Sequence, residues 1–174
     1  LGIDYDLEEA GRELDIVERL RPGEVEVLAV RARHMSARGQ QGAALASAIA
    51  RAADADPQNA TSLGNLASNL SRAGLYAEAE NLLDRALAFT PATESYLRDK
   101  AINRFAWTGD TAAALAILEA TPEDVRDKTT RFFSDRAPWR ERQGDFVGAI
   151  ADYERARTVI KASFSNRSGP RSVA

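Results

Sequence analysis

The chain has no cysteine and a single histidine, His34, among its 174 residues. Without thiols it can build no disulfide framework, no thiolate zinc or iron–sulfur site and no cysteine nucleophile. One imidazole leaves no room for a histidine-rich metal site or a conventional Ser-His-Asp triad. Lysine is nearly missing too, with 3 against 20 arginines. No stretch approaches the roughly 18 uninterrupted apolar residues that span a bilayer, so no direct membrane insertion is expected. A dominant charge is also lacking. The net charge is −3; residues 1–26 carry −6, residues 27–120 balance, and residues 121–174 carry +3. A nucleic-acid partner would need a far more basic face, so none is expected.

What is present is alanine, 33 residues of it, in a chain that is 44% hydrophobic and 28% charged. That balance belongs to a folded protein, and the length fits one domain or one repeat array. The alanine and arginine excess fits a GC-rich bacterial genome. The chain opens on Leu1 with no basic-then-apolar leader and reads as an excised or processed fragment whose start does not give its localisation; a cytoplasmic setting is favoured and a periplasmic one stays open.

Four glycines, Gly39, Gly74, Gly109 and Gly144, stand at intervals of 35 residues, each followed five residues later by Ala44, Ala79, Ala114 or Ala149. A fixed period of this length marks a repeat architecture. Before Gly74, Leu63, Leu66, Ala67 and Leu70 recur at three- and four-residue steps, one face of a helix. After it, Tyr76, Ala79, Leu82, Leu83, Ala86 and Leu87 form a second such face. Ala67 and Ala79 fall where two helices approach closely. Gly74 permits the left-handed backbone that ends the first helix, and Pro91 stops the second.

These residues resemble the tetratricopeptide repeat (TPR) family. The second hairpin carries Leu63, Leu66, Ala67, Leu70, Gly74, Tyr76, Ala79, Leu83, Ala86 and Pro91 on the family's signature positions. The fourth matches through Gly144, Phe146, Ala149, Tyr153 and Ala156. The first gains one residue in "GQQG", after which Leu45, Ile49, Ala52 and Pro57 fall into register. The third carries Ile102, Phe105, Gly109, Ala114 and Leu118 and closes early at Pro122. The resemblance implies an all-α, right-handed superhelical solenoid of antiparallel helix pairs, about nine helices in all, over residues 1–163. Residues 6–22 are expected to be the second helix of a truncated repeat. Hairpins follow at 24–57, 58–91, 92–122 and 123–163, then a flexible tail at 164–174. Pro138 predicts a kink or break near Ala137, with Phe132, Phe133 and Trp139 turned to the core. Arg136 and Arg140 stand where apolar residues are expected. Tyr96, Phe105, Trp107, Trp139, Phe146 and Tyr153 recur at repeat positions and read mostly as core, with Trp107 near a turn.

No catalytic constellation emerges. His34 has no carboxylate or second histidine at i±4 and reads as a surface or half-buried side chain. Glu8–Glu9 and Asp54–Asp56 lack the loop of a Ca²⁺ site and read as solvated acids. Thr121 reads as the cap of a helix that Pro122 opens. Neither cofactor nor metal is expected. The resemblance places Arg33, Asn65, Ser68, Arg72, Tyr96, Lys100 and Asn103 on a concave groove formed by the first helices of the hairpins. Asparagine amides there suit a peptide backbone, and arginine or lysine a carboxylate. In some family members a lysine–asparagine clamp grips a terminal carboxylate. Asn65, Lys100 and Asn103 occupy comparable places, but Ala29 and Arg33 stand where its leading lysine and asparagine would be. The expected function is a non-catalytic scaffold binding another protein's peptide or helix, as a segment of a larger bacterial regulatory or signalling protein. Alternatives are a spacer in an envelope complex, a homo-oligomeric assembly segment, or an accessory region of an enzyme.

Overall fold

The computed structural model describes residues 6–40, 42–126 and 128–167. Among these the chain is all helix, with no strand. It forms two compact units, Leu1–Pro91 and Ala92–Ala174.

The first unit holds α1 (Leu7–Leu20), α2 (Val25–Ala37), α3 (Ala43–Ala55), α4 (Ala60–Arg72) and α5 (Tyr76–Phe89). Asp6 starts α1 by accepting the amides of Glu9 at 3.0 Å and Glu8 at 2.9 Å. These bonds, the one to Glu9 foremost, hold its carboxyl below the usual carboxylate range. Asn59 caps α4 in the same way, through the amide of Ser62. Gly39 and Gly74 take φ of 69° and 77° just beyond the first helix of each hairpin, the left-handed turn the 35-residue spacing predicts. Leu63, Leu66, Ala67 and Leu70 meet Ala79, Leu82, Leu83 and Ala86, all buried. The inserted residue in the first hairpin moves the contact by one position. Leu45 is fully buried while Ala44 is exposed.

The second unit holds α6 (Glu94–Thr108), α7 (Thr111–Glu119), α8 (Glu123–Arg126), α9 (Thr130–Arg142) and α10 (Phe146–Arg167). The expectation of about nine helices missed the one-turn α8. Thr121 does not cap it: its buried hydroxyl has no hydrogen-bond partner. Arg126 holds this corner instead, donating to the carbonyls of Thr121 at 2.5 Å and Glu119 at 2.7 Å. Ala101, Ala114, Leu115, Leu118, Phe132, Phe133, Trp139 and Ala156 form the core.

Two expectations about this unit are corrected. Helix α9 runs without interruption through Pro138, which corrects the break expected there, while Phe132, Phe133 and Trp139 are buried as expected. A proline inside a helix costs about 3 kcal/mol. Burying one aromatic side chain removes about 150–250 Å², worth roughly 4–6 kcal/mol at ~25 cal/mol per Å². Phe132 and Phe133 before the proline and Trp139 after it are all buried, and the continuous helix keeps them on one core. Helix α10 extends to Arg167, past the tail boundary expected at 164, because no glycine or proline intervenes before Gly169. The expectation for residues 168–174 lies outside the described residues.

Arg136 and Arg140, at positions expected to be apolar, share one buried acid. Arg136 donates to both oxygens of Asp152 at 2.8 and 2.6 Å, and Arg140 stands 3.3 Å from one of them. The Arg136 guanidinium also lies over the Phe132 ring, 4.7 Å from its centroid. The Asp152 side chain is 4% exposed. Removing one member of a buried pair leaves an uncompensated charge, whereas a matched apolar replacement does not. Asp152→Ala should therefore destabilise the second unit by about 3–5 kcal/mol in urea unfolding. Arg136→Met with Asp152→Leu should recover most of that loss. A mild effect of Asp152→Ala would show that the fork does not hold α9 to α10.

Candidate functional site

In the first unit the first helices, α2 and α4, lie side by side and leave a cleft of about 530 Å³. Four residues expected on the groove line it: Arg33 from α2, and Asn65, Ser68 and Arg72 from α4. They share a wall because 65, 68 and 72 follow the helical repeat, opposite the buried Leu63 and Leu70. Arg33, Asn65 and Arg72 are exposed, and Ser68 is half-buried. Arg72 donates to the side-chain oxygen of Asn69 at 2.8 Å and to the carbonyl of Ser68 at 3.2 Å. Arg33 and Asn65 make no hydrogen bond or ion pair among the described residues.

Sequence reasoning missed the acidic rim of the cleft, Glu26 and Asp56, and the buried Asn69. Asn69 stands four residues after Asn65, so helical spacing could have placed it. Asp56 could not be placed that way, since it caps the end of α3 and is held by the Asn59 amide at 2.8 Å. The cleft thus offers two cations, two carboxylates and several amides and hydroxyls. Nothing in it forms a nucleophile–base pair. Among the described residues no group of three or more His, Cys, Asp or Glu could hold a metal ion. Nor, among the described residues, is any helix long and apolar enough to cross a membrane.

The three expected groove residues of the second unit fare differently. Tyr96 and Lys100 are half-buried on α6. Asn103 is fully buried, which corrects its placement on an open groove wall. Helix α6 is covered on more than one side: Leu97 and Ala101 are buried along one stripe, and Asn103 lies about 200° round the helix from Ala101. The family projection assumed a solvent-facing surface there.

Other sequence candidates are resolved locally. His34 is half-buried against Gly11, with Nε2 2.7 Å from the carbonyl of Leu7, so it ties α2 to the start of α1. Glu8 is no idle surface acid, since it pairs with Arg38 at 2.6 Å. Asp54 stands 3.6 Å from Arg85. Trp107 is exposed, with the Arg104 guanidinium 5.7 Å from its ring centroid. Phe146 and Tyr153, expected in the core, are 63% and 44% exposed.

Near the start of α6, Arg98 bridges Asp135 of α9 and Asp99. One oxygen of Glu94 is buried beside this cluster without a hydrogen-bond partner. Burial, with Asp135 and Asp99 adding to it against Arg98 and Arg131, raises the Glu94 carboxyl above its ordinary value of 4.5. A carboxyl raised on folding weakens the fold once pH exceeds its folded value, and that cost disappears below the unfolded value. Glu94→Gln should therefore stabilise the second unit at neutral pH. The gain should be under about 1 kcal/mol, because solvent screens a partly exposed group. It should fade as pH falls through the window above 4.5. Thermal melts of parent and variant across that range check it; a gain independent of pH would contradict the burial account.

No family model matches the chain, and no curated protein matches it. Solved structures do share its fold. A crystal structure of MamA superposes with a TM-score of 0.73 at 17% identity, covering 92% of this chain and 92% of that one. A second MamA crystal structure gives 0.70 at 17% identity over 97% of this chain and 90% of that one. MamA residues 41 to the end, from Desulfovibrio magneticus RS-1, gives 0.72 at 13% identity, covering 90% and 86%. At such identities the likeness establishes the fold: an all-helical repeat architecture similar to that of MamA.

Proposed function

We propose that the chain is a non-catalytic protein–protein interaction scaffold that holds an extended peptide or a helix of its partner in the α2–α4 cleft. One observation carries this reading: Arg33 and Asn65 stand exposed on the cleft wall with no partner among the described residues, beside Ser68 and Arg72. Polar groups that the fold leaves unused and gathers into one concavity can pair with a peptide backbone and its carboxylates. The mixed signs of the lining, with Glu26 and Asp56 facing the arginines, fit a peptide carrying both charges better than a polyanion. The helical-repeat fold supports the reading, because stacked hairpins create extended concave surfaces. On the same reading the chain is a segment of a larger bacterial regulatory or signalling protein.

The test is selection of peptides from a displayed random library against the whole chain, followed by titration of the winners against a triple variant. Arg33→Ala, Asn65→Ala and Arg72→Ala all remove exposed side chains. Each should change stability by no more than about 0.5 kcal/mol. Peptides seated in the cleft should lose roughly 1–3 kcal/mol for each charged hydrogen bond removed, and less at high salt. Selection of no peptide, or winners that bind parent and variant equally, would remove the cleft as the binding site.

A further inference from the structure

Helix α10 buries one face and leaves another bare. Ala149, Asp152 and Ala156 turn into the second unit. Val147 is 82% exposed and Ile150 59%, and Phe146, Tyr153 and Ile160 are exposed beside them. The 35-residue period makes this face unusual. Ile150 and Tyr153 correspond to Leu115 and Leu118 of α7, which are buried under Phe132, Phe133 and Trp139. In α7 a following hairpin covers these positions; in α10 the same positions are apolar and open. Beyond Tyr153 the face ends in exposed cations, Arg157 and Lys161, with no ion pair among the described residues.

Among the described residues, one other helix shows a comparable stripe. On α1, Ile16, Val17 and Leu20 are 51%, 39% and 75% exposed. Toward the start of that helix the stripe continues into the exposed acids Glu9 and Glu13, neither with an ion pair among the described residues. The two stripes therefore run in opposite senses, acid to apolar along α1 and apolar to basic along α10. Set antiparallel, they match step for step. Leu20 meets Ile150, Val17 meets Tyr153, Glu13 meets Arg157 and Glu9 meets Lys161. Both stripes cover the same length, about 16 Å at the helical rise. Ile16 then lies along the stem of Glu154, whose carboxylate can reach toward Arg12 one turn away. The net charges of the end segments, −6 for residues 1–26 and +3 for residues 121–174, have the same complementarity.

We propose that the exposed face of α10 docks antiparallel on the exposed face of α1 in a second copy of this chain. The contact is heterologous: two different surfaces meet, so each copy has one of each to offer. It uses neither Arg33 nor Asn65 and is independent of the cleft.

The experiment is sedimentation of the whole chain over a wide concentration range at low and high salt, with circular dichroism confirming unchanged helix content. Self-association should appear as concentration rises and weaken with salt. Leu20→Glu and Ile150→Glu should each abolish it. Glu13→Arg and Arg157→Glu should each weaken it at least about tenfold, since each sets like charges together. Mixed in equal amounts, these last two variants should associate again. Every α1–α10 contact between unlike copies then pairs Glu with Arg. A chain that is monomeric at all concentrations overturns the proposal. So does association that survives Leu20→Glu but not Ile150→Glu, which would mean α10 pairing with α10. Failure of the mixture to recover overturns it as well.

Discussion

Two helices can pack backbone to backbone only where one of them carries nothing larger than a methyl group. That steric constraint organises the chain. Ala67, Ala79, Ala101, Ala114 and Ala149 are all within 1% of full burial, and the large side chains around them fill what the small ones leave. A close helix pair needs a short, sharply turned connection. Gly39, Gly74, Gly109 and Gly144 supply it, all at positive φ, where any side chain would be strained. The alanine count and the glycine period express the same requirement, which explains why they appear together.

The fourth hairpin keeps this geometry by another route. Its first helix carries a proline and two arginines where smooth packing asks for neither. Asp152 answers both arginines from α10, while Phe132 and Phe133 take the Arg136 guanidinium against their rings. A buried ion pair seldom adds net stability over an apolar pair of the same shape. Its effect here is on alignment: a bidentate fork accepts one rotation of α9 against α10, whereas an oily contact would accept several. Fixing that rotation also fixes which face of α10 is left outside.

Legibility followed the distance over which each feature is determined. Turns and close contacts depend on a few neighbouring residues, so the period alone placed Gly74 and Ala79; in the first hairpin it pointed to Ala44, and the family register supplied the one-residue shift that buries Leu45 instead. The cleft depends on two adjacent first helices of one unit, and Arg33, Asn65, Ser68 and Arg72, which line it, had been placed on a groove by the family resemblance. Asn103 was not, because its burial depends on how many sides of α6 are covered, which a periodic pattern cannot state. Pro138 misled for a related reason. Local backbone chemistry argues for a break, and only the joint burial of Phe132, Phe133 and Trp139 outweighs it. Of the cleft's rim acids, Asp56 lies at the end of α3 outside any helical pattern, whereas Glu26 stands two turns before Arg33 on α2 and was within reach of helical spacing.

The periodic reading failed most usefully at Phe146 and Tyr153. A repeat pattern says which side chains are built to be covered, and it says so at every copy of the period. It cannot say whether the covering element is supplied. In α7 the pattern and the burial agree, because α9 follows and covers Leu115 and Leu118. In α10 they disagree, and the side chains keep the character of an interface without the partner that would complete it. Disagreement of that kind differs from a scattered exposed leucine, which any folded protein tolerates. Here five large apolar residues recur at helical spacing on one face, and the cations that end the face have acids at matching spacing on α1. The same logic separates the two surfaces of this chain. The cleft is polar and already solvated, so it can wait for an occasional peptide at little cost. The α10 face is apolar and pays for its exposure in water continuously, which makes a standing partner the more economical state for it.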